Sequence, residues 1–145
     1  MLKLAYYNKT GYHVPQKKIF ATAKNFSKIC GYNKGELEII VINDKEMKKL
    51  NYHYRGKNRT TDVLSFAFQE DRTFVSDFLG QIFVSYPQIK RQAKQYGVST
   101  EQEFIRMLAH GLLHLVGYDH DTKINQRKMY GLQEKLVKKT LITPF

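Results

Sequence analysis

The stretch His110-Gly111-Leu112-Leu113-His114-Leu115-Val116-Gly117-Tyr118-Asp119-His120 carries three of the five histidines in a chain of 145 residues. His110 and His114 are four apart, so on an α-helix at about 100° per residue they lie roughly 40° from each other, one turn along the same face. Gly117 can end such a helix in the left-handed conformation and turn the chain back, bringing His120 to the same point. Neutral imidazole is a standard ligand for zinc and related metals. The segment therefore predicts a metal site built on a helix and the turn that follows it.

Upstream, Thr100 with Glu103 reads as a capping box, which starts the helix near Glu101 and carries it to about Val116. Phe104, Ile105, Leu108, Leu112, Leu115 and Val116 fall on one side, and the histidines lie opposite with Glu103, Arg106 and Met107. The imidazoles thus look away from the packed side, as a cleft requires. Structural zinc is closed by four ligands, mostly cysteines, whereas catalytic zinc has three protein ligands and an open position. Cys30 is the single cysteine and is distant in sequence. One zinc ion per chain on His110, His114 and His120 is the expectation. The spacing also matches the metzincin peptidase pattern with one substitution: those enzymes carry Glu, the general base, directly after the first histidine, where this chain has Gly111. A peptidase of that design would lack its base, so different chemistry is expected on the same metal scaffold.

Charge narrows the partner. Lys and Arg number 24 against 13 acids, a net charge of +11 with pI near 9.7, which fits a polyanion. No apolar run approaches the length of a membrane span, and no basic amphipathic helix with large exposed apolar residues stands out. Nucleic acid is preferred to membrane. Lys3 and Lys9 interrupt the start too early for a signal-peptide core, and one cysteine fits a reducing compartment. A cytoplasmic protein is expected.

Outward from the histidines, the rest of the chain reads as short alternating elements. Leu2 to Tyr7 suits a strand, and Ile19, Phe20, Ala23, Phe26 and Ile29 recur at helical spacing after Pro15. Glu36 to Ile42 is a nearly continuous apolar run of the kind that forms a buried strand. Asn43 with Glu46 caps a helix carrying Met47, Leu50 and Tyr54. Two strands follow, about Asp62 to Phe68 and Leu79 to Ser85, read as an antiparallel pair joined by a loop. Helices over Tyr86 to Gly97 and about Lys123 to Lys139 flank the histidine helix. The order is βαβαββααα, an α+β fold with one mixed sheet of about four strands and helices packed on it. With no repeat or linker, residues 1–145 are read as a single domain. Between Asn51 and Phe66 tyrosines interleave with Arg55, Lys57 and Arg59, a mixture suited to single-stranded RNA, which offers bases to stack on and phosphates to pair with.

His110 to His120 resembles the signature of the YbeY family, bacterial metal-dependent endoribonucleases and ribosomal RNA maturation factors. The family's Asn-x-x-Tyr-Arg is met by Asn51, Tyr54 and Arg55, and its Thr-Asp-Val-Leu-Ser-Phe by Thr61 to Phe66. The resemblance covers most of the chain from about Leu50 onward. It implies zinc on the three histidines and a required arginine at Arg55. It also implies a single-strand-specific endoribonuclease acting in ribosomal RNA maturation (small-subunit rRNA 3′-end processing) and in ribosome quality control, with RNA and the small ribosomal subunit as partners. The chain departs from the pattern at Thr60 and Ala67, where prolines are common, and at Gln81, where an acidic residue is usual; Gln81 is expected to remove a negative charge beside the cleft. Arg55 is assigned to the transition-state charge, with Lys57, Arg59 and Arg106 as phosphate contacts. Asp119 and Asp121 are read either as orienting an imidazole or as a turn and the cap of the last helix. Two alternatives stay open: a non-catalytic ribosome assembly factor with a structural metal, and a metal-dependent hydrolase of another bond.

Overall fold

The computed structural model describes residues 2–68 and 77–143. Its elements are β1 (Lys3–Asn8), α1 (Gln16–Cys30), β2 (Glu36–Ile42), α2 (Asp44–Arg55), β3 (Val63–Ala67), β4 (Phe78–Ser85), α3 (Tyr86–Tyr96), α4 (Thr100–Leu115) and α5 (Lys123–Ile142). The order is the one the periodicities predict. Most of the loop expected between β3 and β4 falls on residues 69–76, outside the described residues.

The four strands form one sheet in the order β1-β2-β4-β3, with β1, β2 and β4 parallel and β3 antiparallel to β4 at an edge. The apolar run of β2 serves both faces of a covered sheet. Leu37, Ile39 and Val41 meet the large core formed with Ile19 and Phe26 of α1, Ile89 of α3, Leu108 and Leu112 of α4, and Leu136 of α5. Ile40 and Ile42 turn to the other face, where Met47 and Leu50 of α2 close a smaller core with Leu64, Phe66 and Phe83. The histidine helix and α2 therefore lie on opposite faces, and a site joining them must reach round the β3 edge.

Pairing along β3 opens that edge. Ser85 N–H donates to Asp62 O and Phe68 N–H to Leu79 O, so the even-numbered residues of β3 bond β4. By the alternation of an antiparallel ladder, the backbone groups of Val63, Ser65 and Ala67 point off the sheet. Helix α4 presses close to this strand. A Cβ on Gly111 would stand 3.0 Å from Val63 Cγ2 and 3.1 Å from Ile82 Cγ2, and Ser65 Oγ donates to the Gly111 carbonyl at 2.8 Å. Residue 111 faces the sheet, and a side chain there would have to push these neighbours aside by a few tenths of an ångström.

Two details of α4 differ from expectation. Its N-cap is Ser99, whose side chain accepts from Gln102 N–H at 3.0 Å, so the box read from Thr100 and Glu103 does not form. Glu103 is instead 1% exposed, because α3 and α5 cover the flank that its charge had suggested was open.

Candidate metal centre and its cleft

The last turn of α4 and the segment after it make the site. Gly117, at φ +101, lets the chain reverse, while Gly117 N–H and Tyr118 N–H donate to the carbonyls of His114 and Leu113. That closure satisfies the helix end and delivers His120 over the helical pair. Ring centroids are 4.6 Å apart for His110–His114, 5.3 Å for His114–His120 and 5.8 Å for His110–His120. One nitrogen from each ring lies within 4.8 Å of the others, as ligands converging on one ion must.

The donor chemistry fits a metal as well as the spacing does. His114 has its pKa pushed below the ordinary value by burial first and then by the neighbouring His110 and His120, with Asp119 opposing; the ring is therefore held in the neutral form a metal requires. His110 Nδ1 lies 2.8 Å from Gln133 Oε1. An amide oxygen only accepts, so Nδ1–H donates and the Nε2 lone pair is left for a ligand. Gln133 is 6% exposed and is itself anchored: its Nε2 donates to Glu134 Oε2 at 3.3 Å, and Glu134 takes two hydrogen bonds from Arg106 at 2.9 and 3.0 Å. Arg106 also faces Glu103 at 3.6 Å, and Glu103 accepts from Gln92, which donates on to Asp62. A polar relay thus runs from Asp62, just before β3, across α3, α4 and α5 to the first histidine.

Two cavities meet at His110 and His120. One, of about 550 Å³, runs along the open edge of β3 and is lined by Tyr54, Arg55, Thr61 to Ala67, His110, His114, Asp119 and His120. The other, of about 500 Å³, lies against α5 and is lined by Asp62, Met107, His110, His120, Tyr130, Gln133 and Glu134. Asp62, His110 and His120 belong to both. A larger hollow of about 620 Å³ around Tyr12, His13 and Lys17 lies elsewhere and holds none of these residues.

The sequence-predicted residues separate accordingly. Arg55, the last residue of α2, reaches the edge cavity because Gly56, at φ +68, stops the helix there. No ion pair or side-chain hydrogen bond engages Arg55 among the described residues. Asn51 explains its own place in the motif: its Nδ2 donates to Arg59 O at 2.8 Å and fixes the loop after Arg55. Lys57 and Arg59 are exposed beside the cleft without lining it. Arg106 lines neither cavity; Glu134 and Glu103 neutralise it, and it braces Gln133. Asp119 lines the edge cavity and accepts the His120 N–H at 2.7 Å. Asp121 instead holds Asn125 at 2.8 Å in the first turn of α5. Gln81 corrects the expectation of a charge lost beside the cleft. Its neighbour Ile82 faces Gly111, so Gln81 points to the opposite face, where it donates to Glu38 at 3.2 Å. Gln133, Tyr130 and Asp62 were not singled out as site residues from sequence. Gln133 carried a signal, being a polar residue on the Met129, Leu136, Val137 stripe of α5.

Residues 6–141 match the family model described as Endoribonuclease YbeY. The chain is 44% identical over 117 residues to the Endoribonuclease YbeY of Thermodesulfovibrio yellowstonii, covering 79% of this chain and 74% of that protein. It is 38% identical over 122 residues to that of Brevibacillus brevis, with 75% and 77% covered. Its fold is similar to the solution structure of TM1509 from Thermotoga maritima, with a TM-score of 0.65 and 26% identity over 97% of this chain and 89% of that one.

Proposed function

The chain belongs to the YbeY endoribonuclease family, and on that premise we propose that it is a zinc-dependent endoribonuclease that cuts single-stranded RNA in ribosomal RNA maturation. The observation that carries this reading is the convergence of three imidazoles beside an arginine that pairs with no carboxylate among the described residues. His110, His114 and His120 would hold the ion, which when bound supplies Lewis acidity and an activated water. Gln133 keeps Nδ1 of His110 protonated, so the ring binds through Nε2. Arg55 meets the extra negative charge that a phosphodiester gains in the transition state, a task suited to a planar, permanently charged guanidinium. The outward N–H groups of Ser65 and Ala67 offer further donors to phosphate oxygens along the edge. Small-subunit rRNA 3′-end processing, ribosome quality control, a cytoplasmic location and residues 1–145 as a single domain belong to the same proposal. Within the described residues no helix is long and apolar enough to cross a membrane.

An RNase that uses the ribose 2′-hydroxyl as nucleophile commonly relies on two free histidines as base and acid. The remaining two are poorly placed for this: His13 lines the distant hollow, and His53 packs on Tyr54 without lining the cleft. Hydrolysis leaving an ordinary terminal phosphate is therefore the expected outcome. The test is metal-quantified protein with single-stranded RNA, and with the same RNA carrying one 2′-deoxy sugar at the cut. Cleavage of both, with Arg55→Ala keeping its metal and Tm but losing most activity, supports the reading. Cyclic-phosphate product together with a resistant deoxy substrate would overturn the mechanism, and metal without any RNA cleavage would favour an assembly factor.

A further inference from the structure

Tyr54 adjoins Arg55 at the end of α2 and lines the same edge cavity as the three histidines. It is an apolar ring left 59% exposed, yet it is not loose. Its centroid lies 4.9 Å from Phe66, which in turn packs 5.8 Å from Phe83, and His53 meets it edge-on at 4.6 Å. Two neighbours thus fix the orientation of a ring whose surface remains largely in solvent. Tyr52, on the same helix and 61% exposed, does not line the cleft. Covering Phe66 explains part of the choice of residue, but a leucine would cover it equally. A pre-oriented aromatic surface beside a cationic phosphate contact is the arrangement that takes a nucleobase, since every base presents a π-face.

We infer that Tyr54 is a stacking platform for one unpaired base of the strand that occupies the histidine cleft. This rests on the reading of that cleft as an RNA site and adds to it the source of single-strand preference. A base inside a duplex has both faces covered by its stacked neighbours and cannot be offered to the ring, whereas an unpaired base can. Arg55 and Tyr54 are consecutive, so a phosphate and an adjacent base are held together.

The experiment compares wild type, Tyr54→Leu, Tyr54→Phe and Tyr54→Trp on single-stranded RNA, on duplex RNA and on a series of single strands each lacking one base near the cut. Tyr54→Leu retains the apolar cover over Phe66 and should keep the wild-type Tm and metal content. It should weaken single-strand binding by roughly five- to hundredfold, the size of one lost base stack, while the Phe and Trp variants stay near wild type. One abasic position should weaken wild type by a similar factor and leave Tyr54→Leu with little further loss. Wild-type binding by Tyr54→Leu overturns the inference, as does equal weakening on duplex or additive losses at every abasic position. If wild type binds and cuts no RNA, it is the assignment of the cleft that has failed. If wild type cuts RNA and Tyr54→Leu cuts it equally, only the stacking role has failed.

Discussion

Gln133 shows what one side chain adds to the proposed ligand set. It sits on the buried stripe of α5 and places its carbonyl 2.8 Å from the far nitrogen of His110. Removing such a support typically lowers metal affinity by about 10- to 100-fold. Gln133→Leu is therefore expected to weaken zinc by that amount in a chelator competition, whereas Gln133→Glu, which retains an acceptor, should keep most of it. An unchanged affinity for the leucine variant would remove Gln133 from the site. The three histidines were legible in sequence because helical spacing and a glycine turn are local properties. Gln133 was not, because its partner is 23 positions away and only the packing of α5 on α4 joins them. For Arg106, whose charge suggested phosphate, one carboxylate partner is local, Glu103 one turn earlier on α4, whereas Glu134 is brought to it only by the packing of α5.

At the scale of elements, Asp44 clips four segments together. Its carboxylate takes two hydrogen bonds from Arg91 of α3, at 2.8 and 2.9 Å, one from Ser85 at the end of β4, and one from Thr60 in the loop before β3. The Arg91 guanidinium first, then the Ser85 and Thr60 hydroxyls, hold the Asp44 pKa below its ordinary value against the opposing effect of burial. A carboxylate whose pKa is depressed on folding contributes stability above its unfolded pKa. That contribution is lost as pH falls through the unfolded value, about 3.8, toward the folded one. Asp44→Asn should thus lower the Tm at neutral pH, and the gap to wild type should close below about pH 4. A gap that stays constant into acid would mean that the ion pair contributes nothing. The strands and helices themselves were readable from periodicity, including the doubly covered run of β2. The antiparallel pairing of β3 with β4 was readable as well, but strand order across the sheet was not, because β4 and not β3 lies against β2 and nothing local specifies that neighbour. Gly111 belongs to the same class: its sequence position suggested only a missing base, and the strand packed against it supplies the structural reason.

Over the whole molecule the question is where a net charge of +11 acts. Exposed cations follow α2 and its exit, with Lys45, Lys48, Lys49, Arg55, Lys57 and Arg59 all in solvent. Another exposed pair, Lys138 and Lys139, lies on α5 beside Thr140, which accepts from Asn25 of α1; it is about one and a half turns past Gln133 and lines neither cavity at the histidines. If charge acts only as a general field, neutralising either group should weaken RNA binding alike. If the strand leaves the cleft past the end of α2, Lys57 and Arg59 contact phosphates and Lys138 and Lys139 do not. Each phosphate contact on a single strand contributes about 0.7 to the slope of log affinity against log salt. Replacing both Lys57 and Arg59 by Ala should then reduce the slope by about 1.4. The Lys138, Lys139 double variant should change the slope little, since neither residue lines the cleft and so neither contacts a phosphate of the strand within it. Titrations of one single-stranded RNA across a range of salt separate the two cases. Equal slopes for wild type and the Lys57, Arg59 variant would move the path of the RNA away from α2.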